Sequence, residues 1–91
     1  MTLTAAIKTA RSQTNPAYPF GGQWSVRSYC VVKCAWHEFG QMTYVQAQNL
    51  RREFLINKTL IALGMSHDDA DYYSQKYNGG SWVEFVRKHA K

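Results

Sequence analysis

Two periodicities divide the chain. From Gln23 to Trp36 no Gly, Pro, Asn or Asp interrupts, and Trp24, Val26, Cys30, Val32, Cys34 and Trp36 alternate with Ser25, Arg27, Tyr29, Val31, Lys33, Ala35 and His37. A period of two marks a strand with one face buried and the other open to solvent or a partner. The first set is expected inside and the second outside. The run is longer than an ordinary strand of about five or six residues, which predicts a bulge or a break within it. The nearest mate is Met42 to Val45, across a turn at Phe39-Gly40-Gln41. A competing reading makes Tyr29 to Phe39 a buried helix stopped by Gly40, because short apolar runs separate poorly into helix and strand.

Elsewhere the period is helical. Thr4 is a candidate cap for a first helix to about Ser12, built on Ala5, Ala6, Ile7, Ala10 and Arg11. Asn15-Pro16 and Pro19-Phe20-Gly21-Gly22 read as a loop, with Tyr18 and Phe20 pinning it to the body. The main helix is expected over 46–63, with Ala47, Leu50, Phe54 and Ile61 on one stripe, Ile56, Leu60 and Leu63 beside it, and Gly64 as stop. Ser66 with Asp69, and Ser81 with Glu84, are capping patterns for helices over His67–Tyr77 and Trp82–His89, separated by Asn78-Gly79-Gly80. Trp82, Phe85, Val86 and His89 share a face, as a core stripe does. The pattern predicts an α+β fold: a short N-terminal helix, a β-hairpin or small antiparallel sheet, then three helices, in one domain over 1–91. The helix reading of Tyr29 to Phe39 would make it all-α.

Composition adds that 45% of the 91 residues are hydrophobic and 14% aromatic, enough for one closed core. No run approaches the ~20 apolar residues of a membrane span, and the start lacks the charged and apolar regions of a signal peptide. A cytoplasmic protein with no membrane partner is expected. The net charge is +5 and unevenly placed: residues 1–62 hold seven bases and two acids, whereas 63–91, Lys91 included, hold four of each. Such a half attracts polyanions or an acidic protein face. Two cysteines exclude a multi-disulfide framework. On one strand, Cys30 and Cys34 lie ~13 Å apart, beyond disulfide reach, and read as small buried hydrophobes. A zinc set of Cys30, Cys34, His37 and His67 has an unusual spacing and no second C-x2-C pair.

No catalytic set emerges, and neither an enzyme, a cofactor, a metal nor a small-molecule substrate is expected. Gly21-Gly22 and Gly79-Gly80 lack the context of a phosphate loop, and Asp68, Asp69 and Asp71 are explained by the start of a helix. A thiol paired with His37 has no orienting group and no oxyanion element. Thr59 to Ala70 looks like a helix-turn-helix, but its second helix would press three carboxylates on phosphates, so an αα corner is expected. Tyr72, Tyr73 and Tyr77 offer a protein-binding alternative, Tyr73 and Tyr77 stacking at i, i+4.

Two basic surfaces remain. Arg27, Tyr29 and Lys33 on the open strand face mix charge with a ring on which a base stacks, as sheet-borne single-strand binders do. Arg51 and Lys58, seven apart on the main helix, adjoin Arg52, with Tyr44 and Gln48 near the same side. Lys8 and Arg11 on the first helix extend either surface. These residues are the candidate nucleic-acid or partner-binding set.

In general character, a tiny cysteine-poor domain with crowded aromatics, a charged face and no catalytic set, the chain resembles the small phage-encoded anti-CRISPR inhibitors of multisubunit RNA-guided complexes. No motif carries the likeness, so no functional residue is transferred by it. It implies an inhibitor that docks on a ribonucleoprotein in the bacterial cytoplasm and blocks target DNA. A net charge of +5 opposes simple DNA mimicry and points to guide RNA or an acidic protein patch as the contact. The second expectation is a stand-alone basic DNA- or RNA-binding accessory or regulatory protein.

Overall fold

The computed structural model describes residues 1–90; Lys91 lies outside the described residues. The elements are α1 (Leu3–Ser12), β1 (Tyr18–Phe20), β2 (Gln23–Cys30), β3 (Ala35–Met42), α2 (Tyr44–Ala62), α3 (His67–Lys76) and α4 (Trp82–His89). The fold is α+β, with an open antiparallel sheet ordered β1-β2-β3. Among the described residues no helix is long and apolar enough to cross a membrane.

α1 begins two residues earlier than a Thr4 cap would allow. Thr2 is extended and its hydroxyl accepts the Ala5 N–H at 3.1 Å, which places Thr4 within the first turn.

The Gln23–Trp36 run does break, but the break reverses the chain. Val31-Val32-Lys33-Cys34 joins two antiparallel strands, and Cys34 closes the loop at φ 50°. The mate of β2 is therefore Ala35–Met42 and not Met42 to Val45. Phe39, Gly40 and Gln41 lie in the strand rather than in a turn, and the helix reading of Tyr29 to Phe39 is overturned. Val45 is claimed by α2, where Thr43 and Gln46 form a reciprocal capping box: Gln46 N–H donates to Thr43 Oγ1 at 3.1 Å and Thr43 N–H to Gln46 Oε1 at 3.0 Å.

A bulge completes the hairpin. Trp24 pairs with Met42 and Val26 with Phe39, which leaves Ser25 facing both Gly40 and Gln41, the latter at φ 61°. A Cβ on Gly40 would stand 2.8 Å from Ser25 Oγ, so close approach of the strands requires glycine there. The expected loop around Pro19 is instead strand β1, joined to β2 through Gly21-Gly22 with both φ angles positive. Tyr18 is half-buried, but Phe20 is 62% exposed and pins nothing.

α2 is the spine, in contact with β2 and β3, α1, α3 and α4. Because neighbours embrace it from more than one side, its fully buried residues are Ala47, Leu55, Ile56, Thr59 and Leu60. Leu50, Phe54, Ile61 and Leu63, expected at or beside the centre of the stripe, are only half-buried. Thr59 hides its hydroxyl by donating to Leu55 O at 2.6 Å. Ile56 and Leu60 close a core with Ala70 of α3 and Val86 of α4, against which Trp82 and Phe85 pack. The Ser66 and Ser81 hydroxyls accept from Asp69 and Glu84 N–H at 3.2 and 3.3 Å, the two caps read from the sequence. Tyr73 does not stack on Tyr77: it lies on His89 at 4.8 Å, and Tyr77 meets Phe85 at 5.5 Å, so both rings pack on α4 rather than on each other.

Candidate nucleic-acid interface

The chain reversal decides which side chains share a sheet face. From Val26 to Cys30 the register pairs residues of opposite parity on β2 and β3, so the alternation changes parity at the loop. Val26, Ser28 and Cys30 share the inner face with Phe39, His37 and Ala35; Phe39 meets Phe54 of α2 with centroids 5.1 Å apart. Arg27 and Tyr29 share the outer face with Glu38 and Trp36. Trp36, expected among the buried set, is thus 40% exposed beside the residues expected outside.

Those outer residues form one cluster. The Arg27 guanidinium lies over the Trp36 ring, 5.8 Å from its centroid, and Tyr29 meets the same ring edge-on at 5.5 Å. The Tyr18 hydroxyl reaches across to donate to Glu38 Oε1. That bond raises the phenol above its ordinary value, because the ionised ring would face a carboxylate. Partial burial also pushes the Tyr29 phenol up. At pH 7 both rings are neutral, hydrogen-bonding aromatic surfaces. The cluster presents one cation, one anion and three rings, an arrangement suited to stacking on bases while Arg27 meets a phosphate or a base edge.

The remaining candidate residues divide. Lys33 is exposed in the hairpin loop next to this face. Lys58, expected on a basic binding surface of the main helix, is half-buried and donates to the Tyr29 carbonyl on the inner side of the sheet, and burial lowers its proton affinity. Gln48 donates to the Tyr44 hydroxyl at 2.8 Å, an i, i+4 pair that ties both side chains to α2. Lys8 and Arg11 are exposed on α1, and Arg11 lies 5.9 Å from the centroid of Trp82. Arg51 is half-buried; burial and then the like charge of Arg11 lower its proton affinity. Arg52 is half-buried on the same helix. Arg27 and Tyr29 thus share the outer sheet face, Lys33 lies beyond the strand in the loop and lines one cavity with Lys58, and Arg51 lies near Arg11.

Trp36, Tyr18 and Glu38 were missed as members of the face. The placement of Trp36 and Glu38 depends on the Val-Val-Lys-Cys loop, which holds no Gly, Pro, Asn or Asp to announce a turn, and that of Tyr18 on the pairing of β1 with β2 across Gly21-Gly22. Cys30 is half-buried, but Cys34 is exposed in that loop, which overturns the reading of both thiols as buried hydrophobes. Among the described residues no group of three His, Cys, Asp or Glu side chains is placed to hold a metal ion. No protein-family model matches this chain, and no curated protein or solved structure matches it.

Proposed function

We propose that this protein is a non-enzymatic binding protein that engages a nucleic-acid strand, and that it meets this strand within an RNA-guided surveillance complex, whose binding to target DNA it blocks. The observation that carries the reading is the outer sheet face, where Arg27 lies over Trp36, Tyr29 abuts it and Lys33 stands at the adjoining loop. Rings supply sequence-tolerant stacking and the cations supply phosphate attraction, which suits a single strand such as an exposed guide RNA. The resemblance to small phage-encoded inhibitors supplies the setting. The same face also suits a naked strand, which supports the second reading, a stand-alone nucleic-acid-binding accessory protein.

One experiment separates the two. Target-DNA binding by a purified multisubunit surveillance complex is followed in a gel-shift assay as the protein is titrated in, with wild type beside Arg27→Glu and Trp36→Ala. Loss of target binding with wild type, restored by either substitution, is the expected result. An unaffected complex together with salt-sensitive binding to a free single-stranded oligonucleotide moves the assignment to the accessory reading. An unaffected complex with no oligonucleotide binding overturns both.

A further inference from the structure

Behind the sheet, on the side away from Trp36, a cavity of about 510 Å³ lies between the β2–β3 hairpin and α2. That volume is in the range of small-ligand sites. Its apolar wall includes Val32, Phe39, Phe54 and Ile61, contributed by the hairpin and one side of α2. Lys33, Lys58, His37 and His67 line it together with Tyr29 and Cys30, and neither an Asp nor a Glu is among its lining residues. An apolar cavity that offers two ammonium groups and two imidazoles and no carboxylate is complementary to a molecule with an apolar body and a negative end.

Two polar groups in this wall lack adequate partners. Lys58 is half-buried and donates to the Tyr29 carbonyl, a dipole that leaves the positive charge uncompensated. Among the described residues no carboxylate pairs with it. Burying a cation without an anion is costly, and an incoming anion would remove that cost. His37 Nε2 is shielded from water and has no hydrogen-bond partner. Burial also makes the Lys58 ammonium easier to deprotonate, as desolvation does for any amine, and an anion beside it would offset that effect.

We infer that this cavity binds a small amphipathic organic anion, a monocarboxylate whose head meets Lys58 and whose apolar body lies on Phe39, Phe54 and Ile61. A neutral apolar molecule would leave the Lys58 charge unanswered, and an inorganic anion would leave the ring-lined wall empty. The molecule is a ligand and not a substrate. The site stands on the face of the sheet opposite the Arg27–Trp36 pair, although Tyr29 and Lys33 border both, and the inference does not rest on the function proposed above.

The test compares octanoate with its neutral isostere octanamide, each titrated below self-association into 15N-labelled wild-type protein and followed by amide and methyl chemical shifts. The expected result is saturable shifts at Val32, Phe39 and Ile61, with octanoate binding at least about tenfold tighter, as a charge-assisted hydrogen bond provides. Lys58→Met should reduce octanoate to the affinity of octanamide. Equal binding of the two probes by wild type overturns the inference without recourse to any variant. So does the absence of saturable shifts, or their spread to exposed apolar residues remote from the cavity such as Phe20.

Discussion

Arg27 lies over Trp36 although the two belong to different strands and to sets that alternate along the chain as inside and outside. A four-residue loop between paired Cys30 and Ala35 moves Trp36 from the expected core to the open face. If this face binds a strand, the two residues contribute differently. Trp36→Ala should weaken binding of a labelled single-stranded oligonucleotide by about 1–3 kcal/mol with little change in salt dependence. Arg27→Gln should lower the slope of log K against log salt by about one if the guanidinium meets a phosphate. Anisotropy titrations at several salt concentrations read both numbers.

Glu38 is the anion of this face and accepts from the Tyr18 hydroxyl. Glu38→Gln should strengthen oligonucleotide binding, since a carboxylate beside a phosphate is repulsive. The same change should move the Tyr18 phenol down toward its ordinary value of 10.0, because the neighbouring charge is gone. Ring-proton shifts of Tyr18 across an alkaline titration check this, and an unchanged midpoint would show that Glu38 is not its partner.

Glu53 on α2 has its proton affinity raised above the ordinary value of 4.5, first by burial and then by the like charge of Asp71, which is held at 2.6 Å by Asn57 Nδ2. A carboxyl with a raised folded-state pKa adds stability below its unfolded pKa and loses it as pH rises through the folded value. Wild type is therefore penalised at neutral pH. Glu53→Gln should be more stable than wild type at pH 7, with the difference closing on acidification to about pH 3, below the ordinary value of 4.5, where the carboxyl is protonated in both folded and unfolded chains. Urea midpoints at several pH values provide the measurement, and a gap that widens toward acid would contradict it.

Gly40 faces Ser25 at the bulge, where a Cβ would come within 2.8 Å of Ser25 Oγ. Ser25 is buried, so little room exists for its hydroxyl to move. Gly40→Ala should destabilise the protein by about 1–3 kcal/mol, the cost of overpacking a closed site. Adding Ser25→Ala should recover part of that loss, and a double-mutant cycle of thermal unfolding reads the coupling. Strict additivity would mean that the two residues do not meet.

How much was legible follows from how local each signal is. The caps at Ser66 and Ser81, the α3 and α4 boundaries to within a residue, and the Trp82, Phe85, Val86 face depend on contacts within one or two helical turns, and their residue types announce them. The Thr2 cap was displaced onto Thr4, since two threonines near one helix start are equivalent by composition. The Thr43–Gln46 capping box was present in the residues but hidden by the strand expected over Met42 to Val45.

What the sequence determined by itself is the α+β class, the number and order of the helices, a strand segment that had to break, and the excess of basic residues in the first two thirds of the chain. What only tertiary structure decided is which side chains share a surface. Val31-Val32-Lys33-Cys34 turns without a turn residue because the pairing of β2 with β3 and the packing of Phe39 on Phe54 outweigh the local preference of four residues. Once that pairing is made, its register sends Trp36 out to Arg27. Lys58 is drawn in to the Tyr29 carbonyl by the packing of α2 on the inner face of the sheet. Local preference sets a strand's period, but its facing is set by the partner, and the partner is chosen by the burial of the whole chain.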